Sequence, residues 1–211
     1  MQMKLMSARW RWAIVAVFLL YGLVLLWKEV LEDRLIPKRW AAVEENSIYR
    51  SGQLHPAQVR SMLADNQIDV IVNMNRWEPD EDQITEERVA GELGIENYRF
   101  PMNGDGTGDA ENYVQAINRL HLAVANGQRV LVHCTAGSQR TGAVIGLYRA
   151  LLQGRPAAEI VEEMASYDLD PIEDEDLLQF LDNNMKYITR RLVELEVLPE
   201  VPEPLPRLVA E

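Results

Sequence analysis

The residues with the clearest chemical potential lie in the run Val-Leu-Val-His-Cys-Thr-Ala-Gly-Ser-Gln-Arg-Thr-Gly, residues 130–142. An apolar stretch typical of a buried strand ends at Cys134, five residues form a loop, and Arg140 begins a predicted helix. At the carboxyl end of a parallel strand, backbone N–H groups and a positive helix terminus face an anion. A guanidinium holds two oxygens of a phosphate at once. The spacing predicts a phosphate site beside a cysteine nucleophile.

Cys134 is the single cysteine of the 211-residue chain, which excludes an intramolecular disulfide and a cysteine-rich zinc site. A lone thiol is more often an inert buried side chain than a nucleophile. A helix terminus contributes at most about 2 kcal/mol to an adjacent anion. The loop amides, Arg140 and the Thr141 hydroxyl must therefore supply the rest of the stabilisation that keeps Cys134 ionised as a thiolate.

The motif His-Cys-x-x-Gly-x-x-Arg-Thr resembles the phosphate-binding loop of the protein tyrosine phosphatases, in their dual-specificity branch. The run Tyr49-Arg50-Ser51-Gly52-Gln53 and the stretch Val70–Asn75 are similar to the opening of atypical members. These members include periplasmic bacterial enzymes and the fungal and plant phosphatases that act on inositol pyrophosphates. The resemblance covers roughly residues 46–185.

This resemblance implies that the chain is an enzyme that hydrolyses phosphate monoesters through a cysteinyl-phosphate intermediate, without a cofactor or a metal. Cys134 is the expected nucleophile, and Arg140 the expected clamp on the phosphate. The remaining phosphate-binding residues that it implies are Thr135, Ala136, Gly137, Ser138 and Gln139. His133 and Thr141 are implied to support the cysteine, His133 by orienting it through hydrogen bonds.

The resemblance also requires a general acid on a loop about thirty residues before the cysteine. Asp105 lies 29 residues before Cys134, in the glycine-rich loop 100–109, and is the expected acid. It would then act as the base on the water that hydrolyses the thiophosphate. Asp109 is the alternative, although a helix cap is a sufficient structural role for it. The loop lacks a Trp-Pro-Asp sequence.

Charge narrows the choice of substrate. The formal net charge is −12, and fourteen basic against twenty-eight acidic residues from position 46 onward give −14 there. Such a domain repels nucleic acid and anionic lipid headgroups. The loop residues 135–139 carry no cation, which favours phosphoproteins, phosphotyrosine first with phosphoserine and phosphothreonine, over inositol phosphates or phosphoinositides. Arg76, just after the strand at 70–74, is expected either near the pocket mouth or as a solvated loop residue. A non-catalytic phosphate-binding pseudophosphatase is the further alternative.

The elements that position these residues alternate between strand and helix, so the predicted fold is α/β, with a central mostly parallel sheet flanked by helices, as in the cysteine phosphatases. Strands are predicted at 48–50, 70–74, 97–100 and 129–133. Helices are predicted at about 56–66, 109–127, 140–153, 156–166 and 175–197. The phosphatase domain is expected over 46–198, followed by an unpacked proline-rich tail over 199–211.

The N-terminal region has a different character. After a basic segment, 1–11, sixteen residues without a charge run from Trp12 to Trp27 and would rise about 24 Å as a helix. Tryptophans at both ends favour the membrane interface, and no small-residue cleavage site follows closely. We predict one transmembrane helix over 12–28, a juxtamembrane linker over 29–45, and a single-pass membrane protein with its catalytic domain on the extracytoplasmic, periplasmic side.

Overall fold

A computed structural model describes residues 8–27 and 32–209. The chain divides into two compact units, Met1–Ile36 and Pro37–Glu211. The first unit contains helices α1 (Ala8–Leu26) and α2 (Glu32–Leu35). The second contains, in chain order, β1 (Ala41–Glu44), β2 (Ile48–Ser51), α3 (Pro56–Asp65), β3 (Val70–Asn73), α4 (Glu81–Leu93), β4 (Glu96–Arg99), α5 (Ala110–Ala125), β5 (Val130–His133), α6 (Gln139–Leu152), α7 (Ala157–Ala165) and α8 (Glu175–Glu194).

The strands form one five-stranded sheet in the order β1-β2-β5-β3-β4. Strand β1 runs antiparallel to β2, while the pairs β2–β5, β5–β3 and β3–β4 are parallel. The carboxyl ends of β2, β5 and β3 therefore meet at one edge of the sheet, where Ser51, His133 and Asn73 share a register. The predicted α/β fold with a mostly parallel sheet is confirmed.

The sheet is buried on both faces because successive side chains of a strand point to opposite sides. Val130 and Val132 pack in the larger core cluster with side chains of α5, α6 and α8. Leu131, between them, packs in the second cluster with side chains of α3 and α4. A strand covered on both faces reads as a continuous apolar run, which is why β5 was visible in the sequence.

Helix α4 is an element that the sequence analysis missed. Asp80 caps its start by accepting a hydrogen bond from the Gln83 backbone N at 2.8 Å, and Gly94 ends it in the left-handed conformation. Two of its four buried side chains, Gln83 and Glu86, are polar. The apolar spacing that announces an amphipathic helix is therefore weak.

Two terminal segments differ from expectation. Strand β1 pairs with β2 inside the segment that was predicted to be linker. The tail was predicted to be unpacked, and this is wrong for its last described residues. Leu208 is 3% exposed, and the backbone N–H groups of Leu208 and Val209 donate to the Asp182 carboxylate at 2.7 and 3.1 Å. This carboxylate and the apolar contact fix the tail against α8.

The predicted transmembrane segment falls on α1, and Lys28 at its end lies outside the described residues. Among residues 8–27 and 32–209, no helix has the length and apolar character needed to cross a membrane. The transmembrane prediction is thus not supported, and the predicted orientation stays untested.

Candidate active site

The centre of the site is the segment Cys134–Arg140, called the Cys134 loop, which joins β5 to α6. The Cys134 side chain is 1% exposed, and its sulfur accepts two hydrogen bonds of 3.2 Å, from the Gly137 backbone N–H and from the Thr141 hydroxyl. Hydrogen bonds to the charged form of a group favour that form. Both donors lie at or near the start of α6, and the thiolate form of Cys134 stays a prediction.

Beside this sulfur-bearing loop lies a cavity of about 320 Å³. Thr135 and Arg140 line it on one side, and Arg76 and Asn103 also contribute. Arg140 is 8% exposed, and its Nη1 donates to the Met74 backbone O at 3.4 Å. That contact holds one edge of the guanidinium against the end of β3. The structure brings the predicted phosphate clamp and the predicted rim arginine to the same cavity.

The glycine-rich loop 100–109 reaches this cavity through Asn103 and Gly104. Asp105 is exposed, and its Oδ1 accepts hydrogen bonds from the Thr107 backbone N at 2.9 Å and the Thr107 hydroxyl at 2.8 Å. Asp109 instead caps α5 by accepting from the Glu111 backbone N at 2.9 Å. The structure thus gives Asp109 a structural role, and the assignment of Asp105 as the acid stays a prediction.

Tyr113 links the glycine-rich loop 100–109, which contains Asp105, to the core. Its side chain is fully buried, and its hydroxyl donates to the Gly106 backbone O at 2.5 Å. Burial raises the pKa of Tyr113, and the charges of Cys134 and Asp105 raise it further against the opposing effect of Arg140. The hydroxyl therefore remains a donor. The sequence analysis did not single out Tyr113, because an aromatic residue on the buried face of α5 has a sufficient role as core.

We expect Tyr113→Phe to lower kcat about threefold to tenfold, because one hydrogen bond that fixes the acid-bearing loop is lost. Inorganic phosphate should bind as tightly as before, since the Cys134 loop is untouched. Steady-state kinetics with p-nitrophenyl phosphate and phosphate inhibition measure both quantities. Tyr187→Phe is the matched control, because Tyr187 is exposed and its hydroxyl bonds to Glu111 on the outer side of α5. An unchanged kcat in Tyr113→Phe would show that this contact does not support catalysis.

Behind the loop lies a buried carboxylate that sequence reasoning also missed. Glu86, on α4, is 1% exposed and accepts from Gln53 Nε2 at 2.8 Å and Asn73 Nδ2 at 2.9 Å. The His133 Nε2 lies 3.2 Å from its Oε2. Burial raises the pKa of Glu86, but His133 and Gln53 lower it more, so the net pKa is below the ordinary value. Glu86 is therefore a carboxylate, and the role predicted for His133, orienting the cysteine, stays a prediction.

The same carboxylate is connected to the Cys134 loop by side-chain amides. Gln53 accepts from Asn75 Nδ2 at 2.9 Å, and the Asn75 Oδ1 accepts from the Thr135 hydroxyl at 2.7 Å. This chain of hydrogen bonds runs from α4 to the first residue after the cysteine. The network is buried at Glu86 and Asn73 and reaches the surface at Thr135.

Comparison with known proteins decides the family. A family model described as "Tyrosine phosphatase family" matches residues 34–195. The chain belongs to the tyrosine phosphatase family. A curated relative is the dual specificity protein phosphatase TpbA from Pseudomonas aeruginosa, 30% identical over 118 residues, which are 56% of this chain and 50% of TpbA. The chain thus spans about half the length of the curated relatives it matches, and this similarity agrees with the predicted dual-specificity branch.

Solved structures of other phosphatases share the fold of this tyrosine phosphatase family member. The crystal structure of P. aeruginosa TpbA is 20% identical, with a TM-score of 0.57, and covers 77% of this chain and 99% of its own. The core catalytic domain of the PP-IP phosphatase SIW14 from S. cerevisiae is 20% identical, with a TM-score of 0.59. The match covers 81% of this chain and 97% of the SIW14 chain. The crystal structure of PTPMT1 is 20% identical, with a TM-score of 0.57. The match covers 74% of this chain and 99% of the PTPMT1 chain.

Acidic side chains also cluster in the stretch before α8. Within residues 8–27 and 32–209, no group of three His, Cys, Asp or Glu side chains is placed to hold a metal ion. In the acidic stretch before α8, Asp170 accepts from the backbone N–H groups of Ile172 and Glu173, and Gln139 donates to Asp174. These carboxylates therefore have structural roles at the start of α8.

Proposed function

We propose that this chain hydrolyses phosphate monoesters through a cysteinyl-phosphate intermediate, with phosphotyrosine on proteins as the preferred substrate and phosphoserine and phosphothreonine as further ones. One observation carries the proposal. The buried Cys134 sulfur accepts hydrogen bonds from Gly137 and Thr141 at the start of α6, next to a cavity lined by Arg140. A sulfur held this way beside an anion site is suited to attack phosphorus.

The proposed first step forms a sulfur–phosphorus bond and breaks the bond between phosphorus and the leaving oxygen. Arg140 and the loop amides neutralise the phosphoryl oxygens throughout, since they are fixed before the substrate binds. Asp105 gives its proton to the leaving oxygen. In the second step the Asp105 carboxylate takes a proton from a water that attacks phosphorus, which releases inorganic phosphate and restores the thiolate.

The charge of the cavity supports a substrate with a single phosphate. Glu78 and Asp80 line the cavity with Arg140 and Arg76, and the loop residues 135–139 add no cation. A second or third phosphate group would lie against carboxylates, and like charges in contact discriminate between partners. TpbA has been solved in complex with pTyr, which supports a phosphotyrosine reading here. PTPMT1 has been solved with PI(5)P, and SIW14 is described as a PP-IP phosphatase.

We expect kcat/KM for a phosphotyrosine peptide to exceed that for inositol hexakisphosphate at least about tenfold, because like charges at the rim oppose the polyphosphate. Phosphate release from both substrates measures the ratio. Glu78→Gln should lower this ratio of kcat/KM values, because it should raise the turnover of inositol hexakisphosphate. Glu81→Gln, at the exposed start of α4, is the matched control and should leave the ratio unchanged. A preference for the inositol compound would favour the alternative substrate class, and phosphate binding without any turnover would favour a pseudophosphatase.

A further inference from the structure

Three consecutive carbonyls of the Cys134 loop accept hydrogen bonds from the segment 39–53. The pairs are the Gln53 backbone N with Thr135 O at 3.0 Å, Arg39 Nη1 with Ala136 O at 2.7 Å, and Arg50 Nη2 with Gly137 O at 2.6 Å. In a trans peptide plane the C=O and N–H groups point in opposite directions. The donors of segment 39–53 hold these carbonyls toward that segment. The N–H groups of the same peptides therefore point the other way, toward the face of the Cys134 loop where phosphate would bind.

The Ala136–Gly137 peptide shows this relation directly. Its carbonyl accepts from Arg39, and its N–H donates to the Cys134 sulfur at 3.2 Å. A rotation of this one peptide would break both contacts together. Arg39, which bonds to the Ala136 carbonyl, thus helps to fix the direction of the Gly137 N–H group.

The segment and the loop approach each other at two glycines. Gly137 has φ of +79°, and a Cβ there would lie 2.5 Å from the Gly52 backbone N. A Cβ on Gly52 would lie 2.8 Å from the Ala136 backbone O. Both distances are too short for a real side chain, so the close contact depends on glycine at both positions.

Arg50 is a buried cation behind the loop. It is fully buried, and its guanidinium carbon lies 3.6 Å from the centroid of the Tyr167 ring. Burial lowers the pKa of Arg50 to about 10, and the negative charge of Cys134 is among the groups that raise it. Arg50 is therefore charged at neutral pH. A buried cation is costly unless partners satisfy it. Here Nη2 donates to the Gly137 carbonyl and the Tyr167 ring lies against the group, while Nε and Nη1 have no hydrogen-bond partner among the described residues.

Arg39 is held from the same place. Its Nε donates to Asp168 Oδ2 at 2.9 Å, and Asp168 follows Tyr167 in the chain just after α7. One short connection thus fixes both arginines, one by an ion pair and the other by stacking. Neither arginine lines the cavity with Arg140, so both act from behind the loop.

We propose that Arg39 and Arg50 are positioning residues of the phosphatase site, which hold the amides of the Cys134 loop toward the phosphate through the Ala136 and Gly137 carbonyls. This inference rests on the proposed function of that loop. Arg50 belongs to the run that suggested the family resemblance, but the sequence alone assigned it no role, and Arg39 was counted only as a linker charge.

The test is the affinity for inorganic phosphate, measured by calorimetry, in Arg39→Met, Arg50→Met and Arg50→Lys. The apparent Kd rises only by the inverse of the folded fraction, so a merely structural role would leave it nearly unchanged in a variant that is mostly folded. Loss of a charge-assisted hydrogen bond predicts a Kd raised about tenfold or more in both Met variants. Arg50→Lys keeps the charge and should recover part of the affinity. Arg60→Met, which removes an exposed arginine paired with Glu92, should bind phosphate like the wild type.

An unchanged Kd in Arg39→Met overturns the inference, even if kcat falls. Arg39 is partly exposed, so this variant decides the question if the buried Arg50 variants do not fold. A different result would reject the proposed function: the wild-type protein would bind inorganic phosphate but release none from phosphotyrosine. The phosphate affinities still judge the positioning role in that case.

Discussion

Cys134→Ser is expected to abolish turnover, with a loss of at least about a thousandfold in kcat, because a serine hydroxyl is not ionised at neutral pH and is a poor nucleophile without an adjacent base. Inorganic phosphate should still bind, since Arg140 and the loop amides are unchanged. Steady-state kinetics with p-nitrophenyl phosphate measure the first quantity, and calorimetry measures the second. Phosphate binding also serves as the control that the variant is folded.

The same prediction has a direct chemical counterpart. The wild-type protein, quenched with acid during turnover, should carry phosphorus bonded to the Cys134 sulfur, and Cys134→Ser should carry none. Turnover by the serine variant at the wild-type rate would reject the covalent mechanism. So would a wild-type preparation that hydrolyses substrate and never yields the adduct.

Asp105→Asn is expected to lower kcat about a hundredfold, because an amide cannot give a proton to the leaving oxygen. The loss should be larger for phenyl phosphate than for p-nitrophenyl phosphate, since the more acidic nitrophenol leaves with less help. An asparagine can still accept the hydrogen bonds from Thr107, so the loop should keep its shape. Measuring the loss in kcat for both substrates side by side distinguishes the loss of a general acid from a general disturbance of the active site.

Asp109→Asn provides the matched control for this experiment. Asparagine caps helices about as well as aspartate, so the contact with the Glu111 backbone survives and kcat should stay near that of the wild type. The opposite pattern, full activity in Asp105→Asn and loss in Asp109→Asn, would move the acid to Asp109. Equal losses for both substrates in Asp105→Asn would indicate that Asp105 supports the loop without donating a proton.

The parts of this protein that were predictable from sequence are those whose determinants are contiguous. The Cys134 loop and its flanking strand and helix lie within residues 130–153, and their bounds agree with the structure within one or two residues. Helix α5 was equally visible, because Asp109 provides a cap and the apolar residues recur on one face. Local signals of this kind survive folding unchanged.

The missed features depend on partners that are distant along the chain. Arg39 and Arg50 contact the loop across 97 and 87 residues, and neither position looks unusual beside its own neighbours. Glu86 is buried because His133, Asn73 and Gln53 surround it, so its helix resembles an exposed one in sequence. The transmembrane prediction, which rested on apolar composition and flanking tryptophans, is not supported by the described helices.

The facing glycines at positions 52 and 137 have a consequence for protein engineering. The two residues come from opposite halves of the chain, and a methyl group on either would meet backbone atoms of the other segment. A chimera that joins the first half of this protein to the second half of a relative therefore keeps this close approach only when the relative carries glycine at the position of Gly137. In the reverse chimera, the relative must carry glycine at the position of Gly52.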